Sequence, residues 1–166
     1  LSTSDEWLAA VVDGMYQDTL GRPGDPSGTA FWIGQLRSGR RTVAQAAAAF
    51  YSSNEYYNRA GAAPGTWVDD LYLKLLGRAS DPDGRAYWAA KTERVGRDAV
   101  ARQFYGSLES RRARVDALYQ ALLGRTPDTS GRTYWAAKIA TEGDLALAVN
   151  LAASNEYATK AKTRFP

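Results

Sequence analysis

Leu75-Leu76-Gly77-Arg78-Ala79-Ser80-Asp81-Pro82-Asp83-Gly84-Arg85-Ala86-Tyr87-Trp88 occurs in this chain in three versions. The first runs from Thr19-Leu20-Gly21-Arg22 through Asp25-Pro26-Ser27-Gly28 to Phe31-Trp32. The third runs from Leu122-Leu123-Gly124-Arg125 through Asp128-Thr129-Ser130-Gly131 to Tyr134-Trp135. In each copy Arg precedes Gly by six positions, Gly precedes Trp by four, and a Tyr (Tyr16, Tyr72, Tyr119) stands six before the Arg. Spacing kept without insertion marks one structural unit used three times.

The segments before each copy have helical periodicity. Val68, Leu71, Tyr72, Leu75 and Leu76, and likewise Val115, Leu118, Tyr119, Leu122 and Leu123, fall at i, i+3, i+4, i+7, i+8. That is one buried stripe of an α-helix, here named A. Gly21, Gly77 and Gly124 suit the left-handed residue that closes such a helix. Asp25-Pro26 and Asp81-Pro82 read as N-cap and first residue of a following helix B, which carries the aromatic-Trp pair. Thr3 and Glu6 stand at capping-box spacing at the head of the first A helix. Helices C carry Phe50, Phe104 and Leu151 and run towards Ser53, Ser107 and Ser154.

These segments predict an all-α fold of about nine helices in three tandem three-helix repeats, near residues 5–60, 66–110 and 111–163, packed as one helical domain over 1–166. A pseudo-threefold closed arrangement and an open stack both satisfy the pattern. Ala60–Gly65 is the one clear linker. It helps separate Tyr16 from Tyr72 by 56 residues, against 47 between Tyr72 and Tyr119. Repeats two and three are joined directly through residues 110–114, which suggests one bent helix there.

Composition narrows the chemistry. Among 166 residues there is no Cys and no His, and the formal charge is +3. Thiol chemistry, the commonest general base and the commonest transition-metal ligand are thereby removed. Basic and acidic residues are interspersed, so no nucleic-acid partner is indicated. No apolar run is long enough to span a membrane. The chain starts at Leu1, consistent with a mature form or part of a larger polypeptide.

The motif as a whole resembles the bacterial repeat called domain of unknown function 4214. The residues that carry the resemblance are the three Tyr, Arg22/Arg78/Arg125, Asp25/Asp81/Asp128, Gly28/Gly84/Gly131, Trp32/Trp88/Trp135, and the Ser-x-Glu segments ending at Glu55, Glu109 and Glu156. The resemblance implies a secreted or surface protein, often one joined to adhesins, calcium-binding repeats or glycoside hydrolases. Two positions depart from it: Ser110 stands where the other copies have Tyr56 and Tyr157, and Leu151 stands where they have Phe50 and Phe104.

Two readings of the loop compete. In the structural one, Arg clasps the Asp three positions on, Asp caps helix B, and Trp anchors the core. In the binding one, Arg22, Asp25, Trp32, Arg78, Asp81, Asp83, Trp88, Arg125, Asp128 and Trp135 form up to three shallow sugar sites. Carboxylate and guanidinium hydrogen-bond hydroxyls while an aromatic face covers the ring. Five Trp and ten Tyr exceed what a helical core of this size needs. Asp81-Pro82-Asp83-Gly84 begins like a calcium loop, but Thr92 stands where an EF-hand needs Glu. No metal and no cofactor are therefore expected, and without His no serine nucleophile has its base.

The functional expectation is a non-catalytic carbohydrate-binding module of a secreted bacterial protein, tethering it to cell-wall or environmental polysaccharide. The Ala/Gly/Arg-rich composition fits a high-GC bacterium, making an arabinogalactan-type wall polymer a candidate. The alternative is a protein-interaction or structural module of a cell-surface assembly.

Overall fold

The computed structural model describes residues 3–164. The described residues form eleven α-helices and one π-helical turn, with no strand. The chain is all-α and built from three copies of the same unit. The A helices are α1 (Thr3–Leu20), α5 (Pro64–Leu71, extended by the π turn Tyr72–Leu76) and α8 (Leu108–Leu123). The B helices are α2 (Pro26–Arg37), α6 (Pro82–Val95) and α9 (Thr129–Glu142). The C helices are α3 (Val43–Ser52), α7 (Arg97–Gly106) and α10 (Asp144–Ala152). Two further helices, α4 (Asn54–Arg59) and α11 (Asn155–Arg164), raise the count above nine. Both start at the Ser-x-Glu segments. The expected Thr3–Glu6 capping box lies outside the described side chains.

The expected ends and starts of the A and B helices are where the motif puts them. Gly21, Gly77 and Gly124 take φ of 63°, 68° and 65°, the left-handed conformation that lets a helix stop. Asp25, Asp81 and Asp128 sit in extended backbone and accept from the N–H of Gly28, Gly84 and Gly131 at 3.0, 2.9 and 2.6 Å. Ser53, Ser107 and Ser154 do the same for the N–H three residues on, each at 3.1 Å. Ser107 caps α8 itself, so residues 110–114 lie within a single helix. The Ser-x-Glu segment of repeat two and the A helix of repeat three have become one element, and the boundary read between residues 110 and 111 lies inside it.

The chain divides into two compact units, residues 1–105 and 106–166. The first holds repeats one and two around a core that includes Val12, Tyr16, Ala46, Phe50, Val68, Leu71, Tyr72, Val100 and Phe104. Ala46 and Ala48 on α3 are wholly buried, and their small side chains let neighbouring helices approach closely. Trp67 is also wholly buried, and its indole N–H donates to the Tyr51 carbonyl at 2.8 Å. Tyr56 of α4 is buried and donates its hydroxyl to Asp70 of α5; burial, then this carboxylate, push its pKa upward. The second unit holds Val115, Tyr119, Leu123, Trp135, Ile139, Leu147 and Leu151 in its core.

The motif glycine of helix B has one evident cause. A Cβ on Gly28 or Gly84 would collide with the hydroxyl of Tyr16 or Tyr72, whereas on Gly131 it would meet Tyr119 at an ordinary 3.5 Å. All three would also crowd the capping Asp at 2.8 Å, so the tyrosine is the difference. Gly84→Ala therefore sets an overpacking cost of about 1–3 kcal/mol against a helix-propensity gain of about 1 kcal/mol. Gly131→Ala has the gain without the tyrosine clash. Urea unfolding of the two variants should show Gly84→Ala the less stable by about 1–3 kcal/mol; equal stabilities would contradict the close-approach explanation.

Candidate functional site

Most of the motif is spent within the fold. The Arg22 guanidinium grips Glu55 with two bonds, Nε to Oε1 at 2.9 Å and Nη2 to Oε2 at 2.8 Å. Arg125 grips Glu156 in the same way, at 2.6 and 2.9 Å. Each arginine also lies over the motif tyrosine, Arg22 at 5.3 Å from the Tyr16 ring and Arg125 at 5.2 Å from that of Tyr119. Arg78 lies 5.0 Å from the ring of Tyr72. The expected Arg–Asp clasp is replaced in repeats one and three by this Arg–Glu fork. In repeat two Arg78 comes to 3.9 Å of Asp81. The forks are solvent-exposed, so they fix orientation more than they stabilise.

Charge states follow from these bonds. The Arg22 fork lowers the pKa of Glu55, and the Arg125 fork that of Glu156. Asp25 is lowered first by the Ser27 hydroxyl and then by the Gly28 N–H. Asp81 and Asp128 are lowered first by the N–H of Gly84 and Gly131. A glycosidase general acid needs the opposite shift. These loop carboxylates are helix caps held ionised. Asp83 lies exposed in the first turn of α6, and Asp81 is committed to its cap. Among the described residues no group of three or more acidic side chains is arranged to hold a metal ion.

The three tryptophans point inward to different degrees. Trp135 is buried, and Trp32 and Trp88 are half-buried. Trp32 packs on Phe50 at 5.1 Å and Trp88 on Phe104 at 4.7 Å. In the third copy the corresponding C-helix residue is Leu151, also buried. The tryptophans therefore supply anchors, Trp135 fully and Trp32 and Trp88 with part of their surface left exposed.

What sequence reasoning passed over is the residue before each Trp. Phe31, Tyr87 and Tyr134 are 54%, 55% and 55% exposed. Each stands edge-on to its Trp, at 5.2, 5.2 and 5.3 Å between ring centres and 79–83° between planes. The same ring pair is thus built three times, with one member in the protein and one in solvent. In repeats two and three a lysine one turn on lies against both rings. Lys91 Nζ is 5.6 Å from the Tyr87 centre and 5.1 Å from Trp88; Lys138 Nζ is 5.2 Å from Tyr134 and 5.4 Å from Trp135. The alternation of an exposed and an anchored aromatic at adjacent positions was the available signal.

No helix among the described residues is long and apolar enough to cross a membrane. No curated protein matches the chain, and no solved structure does. One family model matches three times, over residues 4–60, 47–114 and 101–161. Neighbouring matches share 47–60 and 101–114, the stretches where one repeat hands over to the next. With its Tyr, Arg, Asp, Gly, Trp and Ser-x-Glu positions each given a structural role and almost its whole length matched, the chain belongs to the family described as Domain of unknown function (DUF4214).

Proposed function

We propose that this chain is a non-catalytic carbohydrate-binding module of a secreted bacterial protein, tethering it to cell-wall or environmental polysaccharide through up to three sites. The observation that carries the reading is the exposed ring of Phe31, Tyr87 and Tyr134, present at the same place in every repeat. A ring held edge-on against an anchored tryptophan is ordered before any ligand arrives, which lowers the entropy cost of binding. Its free face suits the apolar face of a sugar ring, and polar side chains along helix B (Asp83, Lys91, Ser130, Lys138) supply hydroxyl partners. Three weak sites on one chain combine by effective concentration on a polymer that presents many copies of the same sugar.

The binding surface is thereby moved from the loops to the outward faces of α2, α6 and α9. Arg22, Asp25, Arg125 and Asp128 serve to hold those helices in place. Pull-down on insoluble polysaccharides and on purified bacterial cell walls tests the proposal, followed by calorimetry with soluble fragments of any glycan that retains the protein. Retention on at least one polymer, with each soluble fragment binding weakly, is the expected result. Failure to bind any glycan would overturn the proposal and favour a protein-interaction module of a surface assembly.

A further inference from the structure

The three helix-B faces are not chemically alike, and the difference lies beside the exposed ring. In repeats two and three the ring is a phenol and the residue one turn later is lysine; in repeat one the ring is Phe31 and that residue is Gln35. Lys91 donates to Gln103 Oε1 at 2.8 Å, and Lys138 donates to the Tyr134 hydroxyl at 2.9 Å. Each contact engages one of three ammonium hydrogens. Glu142 stands 3.9 Å from Lys138, and it tempers that charge without closing the contact. In repeat one Arg41 lies over the half-buried Trp32 at 5.7 Å.

We infer that repeats two and three select acidic polysaccharide, specifically a uronate-bearing chain, with Lys91 and Lys138 as the specificity-determining residues. The inference rests on the glycan-binding reading above. A uronate stacked on Tyr87 or Tyr134 brings its carboxylate within reach of the ammonium beside that ring. The same ammonium already lies 5.1–5.6 Å from the centres of both rings of its pair, so its position is set before binding. A charge-assisted bond to carboxylate is stronger than a neutral hydroxyl contact. Repeat one offers a phenyl ring with an amide beside it and Arg41 over Trp32, and discriminates less sharply between neutral and acidic sugars.

The decisive comparison uses one backbone in two charge states: polygalacturonate and its fully methyl-esterified form. Calorimetry on the full chain should give at least about tenfold tighter binding to the acid form, since each of the two lysine-bearing sites gains a charge-assisted contact worth about tenfold. The gap should shrink as ionic strength rises. The Lys91→Gln/Lys138→Gln variant should lose the preference, so that acid and ester bind it equally, and the double Lys→Arg variant should keep it. Both lysines are partly exposed, and an unchanged circular dichroism spectrum checks folding. Equal affinity for acid and ester, or a preference that survives the Gln variant, overturns the inference. So does binding confined to uncharged glycans, an outcome that would leave the module reading intact. No glycan binding at all removes both together.

Discussion

Trp67→Ala should destabilise the first compact unit by about 3–5 kcal/mol, the usual range for truncating a fully buried aromatic. Trp67 has no exposure, and the Tyr57 ring lies 6.3 Å from its own. Alanine would leave a cavity between α5 and the helices that precede it. It would also strip the Tyr51 carbonyl of the indole N–H that it accepts. An orphaned buried carbonyl adds about 1–3 kcal/mol where water cannot reach it. Trp67→Phe separates the two contributions, because it keeps most of the volume and loses the bond. Urea unfolding followed by near-ultraviolet circular dichroism measures both. A loss below about 1 kcal/mol for the alanine variant would mean that the site collapses freely or that Trp67 is not packed as described.

Arg114→Met is the counterpart in the second unit. Arg114 is 16% exposed and its Nε donates to Asp144 Oδ2 at 2.7 Å, while Nη1 donates to the buried Ser110 hydroxyl. Burial pushes the Asp144 pKa up, and Arg114 pulls it part of the way back. A carboxylate whose folded pKa exceeds the unfolded one, near 3.9, binds its proton more tightly in the folded state. Its contribution to stability is full below the unfolded pKa and is lost as pH rises through the folded pKa. Removing Arg114 raises the folded pKa further and widens that window. The variant should lose about 3 kcal/mol at pH 7, the cost of leaving a partly buried charge unpaired. Part of that loss should return at about pH 4.5, where Asp144 takes up its proton. Arg114→Met/Asp144→Asn should recover stability at neutral pH. Equal losses at both pH values would show that packing, not charge, explains Arg114.

These two residues also show where sequence reading stops. Counted from the motif tyrosines, Trp67 and Arg114 occupy the same place in the unit, five residues before Tyr72 and Tyr119. Val11 holds that place in repeat one. A position filled by Val, Trp and Arg has no pattern, so comparing the copies hid its importance. The departure at Ser110 belongs to the same exchange. In the first unit a large Tyr56 bonds Asp70 on the A helix that carries Trp67; in the second a small Ser110 receives Arg114. Size and polarity are traded between two neighbouring elements, which only the three-dimensional arrangement reveals.

The legible features were local. Gly77 stops a helix through its own φ, and Asp81 caps one through an N–H three residues away. The Arg22–Glu55 fork spans 33 residues, and the motif alone offered Asp25 as a nearer partner. Helix B hid its outward face for a different reason. Adjacent residues differ by about 100° around a helix, so Tyr87 and Trp88 cannot both face the core. The larger and more hydrophobic indole was the natural candidate for a ligand platform. It was also the better core anchor, and the packing of Phe104 against Trp88 gave it that role.

The central claim is that the outward rings of the B helices bind glycan. It is tested most directly by the triple variant Phe31→Ala/Tyr87→Ala/Tyr134→Ala, measured on whichever polysaccharide retains the unaltered chain. All three rings are more than half exposed, so the thermal transition should move little. Affinity for the polymer should fall by about a hundredfold or more, because three weak contacts disappear together. Undiminished binding by a folded triple variant would contradict the claim and return the search to the loops.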